Sequence, residues 1–120
     1  MLEKAGIYHC MRKSAWEKTQ EEIFKERAEV LGRAGEALAA ALSEVDRIDR
    51  LIVESMRAAG ERPGLETLAE INGEIRRYNR ARAYAELRYY YLIVTREAMG
   101  IRRHKAVEEV YRIPPKKKYL

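Results

Sequence analysis

Cysteine is almost absent from this chain, proline occurs only three times, and glycine seven times, in 120 residues. A single cysteine, Cys10, cannot close a disulfide within the chain, so the fold rests on packing rather than cross-links, which suits a reducing, cytoplasmic setting. Proline is confined to Pro63, Pro114 and Pro115, which leaves long stretches without a helix breaker. The longest uninterrupted apolar runs, Ala37–Leu42 and Tyr89–Val94, are six residues each, whereas a membrane-spanning helix needs ~20. The opening Met1-Leu2-Glu3-Lys4-Ala5-Gly6 lacks the basic-then-apolar layout of a signal peptide, so a soluble intracellular protein is expected.

Patterns that carry chemistry are also scarce. No segment alternates like a strand, and Gly32-Arg33-Ala34-Gly35, with no strand before it, is not a phosphate loop. Neither of the two histidines follows a glutamate by three, as helix-bundle di-metal sites require. His104 with Glu108, and His9 with Cys10, are isolated ligand pairs of a kind that arises by chance. Ser14 and Ser55 sit in no nucleophile motif, and Glu22, Glu26 and Glu29 lie among Lys18, Lys25 and Arg33, as on a solvated helix face. No cofactor and no metal are expected, and the balance leans away from an enzyme.

What is present is helical periodicity. Apolar residues make up 47% and charged residues 36% of the chain, the makeup of long surface-exposed helices rather than disorder. Phe24, Leu31, Leu38, Val45 and Ile52 stand seven residues apart, flanked by Ile23, Val30, Ala37 and Leu51. A heptad sustained this long implies knobs-into-holes packing against a partner helix. Ser14 with Glu17 forms a capping box at the start, and Gly60 and Pro63 end the helix, so it should run over about 14–59. Gly32 and Gly35 slim its middle, which favours close helix contact over a kink.

A second helix is expected over about 65–99, with Leu68, Ile71, Ile75, Tyr78, Ala85, Tyr89, Leu92 and Met99 inward and Gly100 as its cap. A short third helix should cover about 103–111, before Ile113-Pro114-Pro115 imposes an extended tail over 112–120. Residues 1–13 show no clear period, although Ile7, Tyr8 and Met11 could pack on the bundle. The fold class is therefore all-α: one domain over 14–111 built as a long antiparallel helical hairpin with a short third helix. Folding the hairpin at about residue 61 would bring Arg76, Arg77 and Arg80 near Glu44, Asp46 and Asp49, and Arg96 near Glu26. Apolar residues wrap most of the helix from Tyr84 to Val94, more than one partner helix can cover. This, with the helix length, predicts a homodimer forming a four-helix bundle.

Charge is uneven: residues 1–62 carry 11 cations and 12 carboxylates, and residues 63–120 carry 13 and 7. The basic half interleaves arginine with tyrosine, a pattern that suits phosphates and stacked bases. A surface for a protein partner or nucleic acid would use Arg76, Arg77, Arg80, Arg82, Tyr84, Arg88, Tyr91, Arg102, Arg103, Lys116, Lys117 and Lys118. The plainer alternative is that Tyr78 and Tyr89 are core, the arginines pair with the first helix, and the lysine tail is solvated. Arg82 falls on the inward row between Ile75 and Tyr89, where it either sets register or snorkels. The expected role is a non-enzymatic assembly or adaptor protein, with nucleic-acid binding second and a ligand site inside the bundle third.

Overall fold

The computed structural model describes residues 14–120. Among the described residues three helices follow one another: α1 (Ala15–Ala59), α2 (Leu65–Ala98) and α3 (Lys105–Val110). No strand occurs among the described residues. The expectations on Ile7, Tyr8, His9, Cys10 and Met11 lie outside them.

Local chemistry explains the boundaries. The Ser14 hydroxyl accepts the Glu17 backbone N–H at 3.1 Å, which satisfies one of the orphan donors of the first turn. Gly60 ends α1 at φ +76°, a conformation that costs a residue with a Cβ. At the end of α2, the Ile101 N–H bonds the Arg96 carbonyl and the Gly100 N–H bonds the Glu97 carbonyl, with Gly100 at φ +85°. This pair of bonds is a Schellman cap, and it turns the chain toward α3. α1 runs unbroken through Gly32 and Gly35. Only Gly35 lies in close contact, since a Cβ there would meet the Tyr111 hydroxyl at 3.3 Å, while nothing stands within 4 Å at Gly32.

α1 and α2 pack as the expected hairpin. The main core joins Ala41, Val45, Ile48 and Ile52 of α1 to Ile71, Ile75, Tyr78 and Ala85 of α2. A second cluster joins Leu38, Leu92 and Val107, so α3 closes the end of the hairpin at the middle of α1. Ile113 packs against both clusters. The register differs from a fold-over at residue 61. Ser55 donates to Glu74 at 3.1 Å, and Leu38 packs with Leu92. The buried rows set this offset, because meshing two apolar stripes outweighs the midpoint of an exposed five-residue connector.

The offset changes the electrostatics. Glu44 pairs with Arg47, Asp46 with Arg50 and Glu54 with Arg57, all within α1. The expected cross-hairpin ion pairs of Arg76, Arg77 and Arg80 do not form, although the charge of Arg77 is felt at Glu44. Arg96 instead donates to His104 Nδ1 at 3.2 Å and to the Arg103 carbonyl at 3.0 Å.

Candidate interaction surfaces

α1 is longer than α2 by eleven residues, and its first part has no cover in the described chain. From Ser14 to Val30 every residue is exposed except the half-buried Ile23. Phe24 is 77% exposed although it continues the heptad row that buries Leu38, Val45 and Ile52 downstream. Trp16 and Val30 are exposed on the neighbouring row. The apolar stripe therefore runs on past the hairpin into an arm of about four turns, ~24 Å at ~1.5 Å per residue. This arm carries five carboxylates and three cations.

The outward face of α2 is the second surface. Arg76 and Arg80 are exposed and make no hydrogen bond or ion pair among the described residues. Arg77 is exposed within reach of Glu44, whose carboxyl is held below its ordinary range mainly by the Arg47 hydrogen bond, with a smaller pull from Arg77. One helical turn further on, the Arg88 Nε donates to the Tyr84 hydroxyl at 2.9 Å. The same guanidinium lies 5.1 Å from the Tyr84 ring and 6.0 Å from the Tyr91 ring. Tyr84, Arg88 and Tyr91 are thus one cation–π stack along the helix. Leu87, Tyr90 and Val94 beside it are exposed, Tyr90 by 62%. Of the apolar belt from Tyr84 to Val94, the single chain buries only Ala85 and Leu92 and half-buries Tyr89 and Ile93.

The tail forms the third surface: Lys116 and Lys118 are exposed, as expected of a solvated terminus, but the chain is tied to the hairpin at Pro114, Pro115, Lys117 and Leu120. After Ile113 the chain runs back along the hairpin as a strap (residues 114–120) held by side chains of α1 and α2. The Pro114 carbonyl accepts the Arg82 Nε at 2.6 Å, and the Pro115 carbonyl accepts the Tyr78 hydroxyl at 3.0 Å. Asn79 clamps Lys117 on both sides: its Nδ2 donates to the Lys117 carbonyl at 3.0 Å, and its Oδ1 accepts the Lys117 N–H at 2.9 Å. Asn72 holds Leu120 in the same way, at 3.3 and 2.8 Å. The Lys117 Nζ meets Asp49 at 2.6 Å and sits 5.0 Å from the Tyr78 ring centroid. Proline brings no backbone N–H and a fixed φ, so an extended strap with outward carbonyls suits donors on a helix face.

These contacts sort the basic residues. Arg82 is half-buried, bonds the strap and pairs with Glu86 at 2.8 Å, so it orients the tail. Lys117 is spent on Asp49. Lys116 is exposed at the rim of an open groove of about 710 Å³ between α2 and the strap, which Leu87, Tyr89 and Tyr90 also line. Lys118, Arg102 and Arg103 are exposed. The structure thus gathers Tyr84, Arg88 and Tyr91 on one face, with Arg76 and Arg80 along the same helix, and separates them from Lys117.

Burial pushes the Tyr78 hydroxyl above its ordinary value, with Asp49 adding to the shift and the Lys117 and Arg82 cations opposing it. Tyr89 is raised too, first by burial and then by the charge of Glu108. His104 turns its Nε2 to Glu97 at 3.2 Å, and its Nδ1 accepts from Arg96, so both ring nitrogens are engaged away from Glu108. Among the described residues no cluster of three metal-ligating side chains forms. None of the described helices is long and apolar enough to cross a membrane.

Sequence reasoning overlooked Asn72 and Asn79, and it set Asp49 against the arginines of α2 rather than against Lys117. The available signal was two asparagines seven residues apart inside a helix, where asparagine is a poor former, together with a proline-led tail long enough to reach them. No protein-family model matches the chain, and neither a curated protein nor a solved structure gives a significant match.

Proposed function

We propose that the protein is a non-enzymatic assembly module that works as a homodimer, its two hairpins pairing through the α1 arm and the outward face of α2 into a four-helix bundle. The observation that carries this reading is the heptad row continuing through Phe24 on an arm the described chain leaves bare. An exposed apolar stripe at heptad spacing gains little in water and much against a second helix. Charge complementarity supports the same pairing. The arm is acidic, while residues 76–88 of α2 hold five arginines and one glutamate. Two-fold symmetry would apply each arm-to-face contact twice.

The test is the mass of Phe24→Glu and Leu51→Glu by sedimentation equilibrium. Leu51 is also exposed, but it lies on α1 beside the hairpin rather than on the arm. Phe24→Glu should sediment as a monomer and Leu51→Glu as a dimer. A dimeric Phe24→Glu would remove the arm from the interface.

A second reading, nucleic-acid binding, is favoured by one observation: Arg76 and Arg80 are exposed without partners. It requires affinity to fall steeply with salt as counterions are released, and to weaken on Arg76→Ala and Arg80→Ala. Salt-insensitive or undetectable binding to single-stranded nucleic acid would end it.

A further inference from the structure

The contacts between strap and hairpin have the form of peptide recognition. Two of them read backbone alone. Asn72 and Asn79 each present an amide that matches both the N–H and the C=O of one strap residue, which holds that residue's backbone without regard to its side chain. The spacing fits an extended ligand. Seven helical residues rise ~10.5 Å, and the three residues from Lys117 to Leu120 span ~9–10 Å when extended. Arg82 and Tyr78 add donors to the two proline carbonyls.

One contact reads a side chain. The Lys117 ammonium lies between the Asp49 carboxylate and the Tyr78 ring, an acid and an aromatic face that together select a cation. The Tyr78 hydroxyl serves the strap at the same time, so a single residue joins backbone and side-chain recognition. Every reading group belongs to α1 or α2, and none belongs to the strap. The hairpin therefore supplies every group of the site.

We propose that this channel is a binding site for an extended proline-proline-any-lysine segment, that residues 114–120 fill it in cis, and that the same segment of a second copy can fill it in trans. A tethered segment acts at an effective concentration in the millimolar range, so the cis strap is the ordinary occupant and a free segment has to displace it. This site does not depend on the arm-mediated pairing, because a peptide reads it whether the protein is a monomer or a dimer.

The experiment uses a synthetic peptide of residues 112–120. Unlabelled peptide is titrated into the uniformly ¹⁵N-labelled full-length chain, and the Lys117 amide signal is followed. The proposal expects that signal to move toward the position of a free tail at millimolar peptide. A peptide carrying Lys117→Glu should be at least tenfold weaker. A second chain of the same length, with residues 114–120 replaced by glycine and serine, should bind the peptide at least tenfold more tightly than the natural chain does. Adding Asn79→Ala to that chain should abolish the gain. No displacement at millimolar peptide together with no binding to the replaced chain would overturn the site. Equal displacement by the Lys117→Glu peptide, or equal binding after Asn79→Ala, would overturn it as well.

Discussion

Replacing Asn79 with alanine isolates the backbone clamp on the strap. The wild-type side chain makes two bonds to Lys117, at 3.0 and 2.9 Å. Each contributes roughly 0.5–1.5 kcal/mol net, and the freed Lys117 groups are half-exposed, so water recovers part of their hydrogen bonding. Loss of both should weaken strap docking by about 1–2.5 kcal/mol. At about 1.4 kcal/mol per factor of ten, local opening becomes roughly five- to sixtyfold more frequent. Amide hydrogen exchange reads this directly, because the Lys117 N–H is protected by the Asn79 oxygen. The Lys117 amide should exchange faster by that factor, while amides around Ile48 and Ile75 stay as they were, since the strap opens without the hairpin. Asn79→Asp keeps the acceptor for the Lys117 N–H but sets a carboxylate oxygen where the donor stood, opposite the Lys117 carbonyl, and should also accelerate exchange. Unchanged exchange at Lys117 in Asn79→Ala would refute the clamp. Equal acceleration of strap and core amides would refute its separability.

Three further outcomes follow from the packing. Leu38 is fully buried where α1, α2 and α3 meet, so Leu38→Ala should lower stability by about 2–5 kcal/mol in denaturant unfolding; a loss under about 1 kcal/mol would mean the second cluster is not cooperative with the hairpin. Gly60→Ala places a Cβ at φ +76° and should cost roughly 1–2 kcal/mol, whereas Gly64→Ala, at φ −69° with open space around it, should be nearly neutral. The raised pKa values of Tyr78 and Tyr89 give stability that is present below the ordinary tyrosine value of about 10 and lost as pH rises through the higher folded values. A melt series from pH 8 to 11 should therefore fall at its alkaline end, and Tyr78→Phe should flatten part of that fall; a parallel alkaline limb in the variant would remove Tyr78 from it.

The helices were legible because their signals are local. Ser14 with Glu17, Gly60 before Pro63, and Gly100 after the last turn marked the ends of α1 and α2 within one residue. The inward rows were legible from period alone, and Leu38, Val45, Ile52, Ile71, Ile75 and Leu92 are buried as that period requires. Phe24 shows where period stops being informative. Periodicity tells which face seeks a partner but not whether the same chain supplies one. The register was misread because it depends on how two stripes mesh, which no single helix encodes. The strap was misread for a related reason. Its lysines look like a solvated cluster in sequence, and only the fold brings Asp49, Tyr78 and Asn79 to Lys117 from separate helices. Among the surface residues, Tyr84, Arg88 and Tyr91 came together because their spacing places them on one side of α2.

The pairing of two hairpins is the claim on which the proposed role stands, and absolute mass by light scattering across a concentration series at low and high salt tests it most directly. The proposed pairing predicts a mass near twice the 14.0 kDa chain that persists in high salt, because the exposed apolar Phe24, Leu87 and Val94 would drive it rather than charge. A mass of 14.0 kDa at every concentration would contradict it.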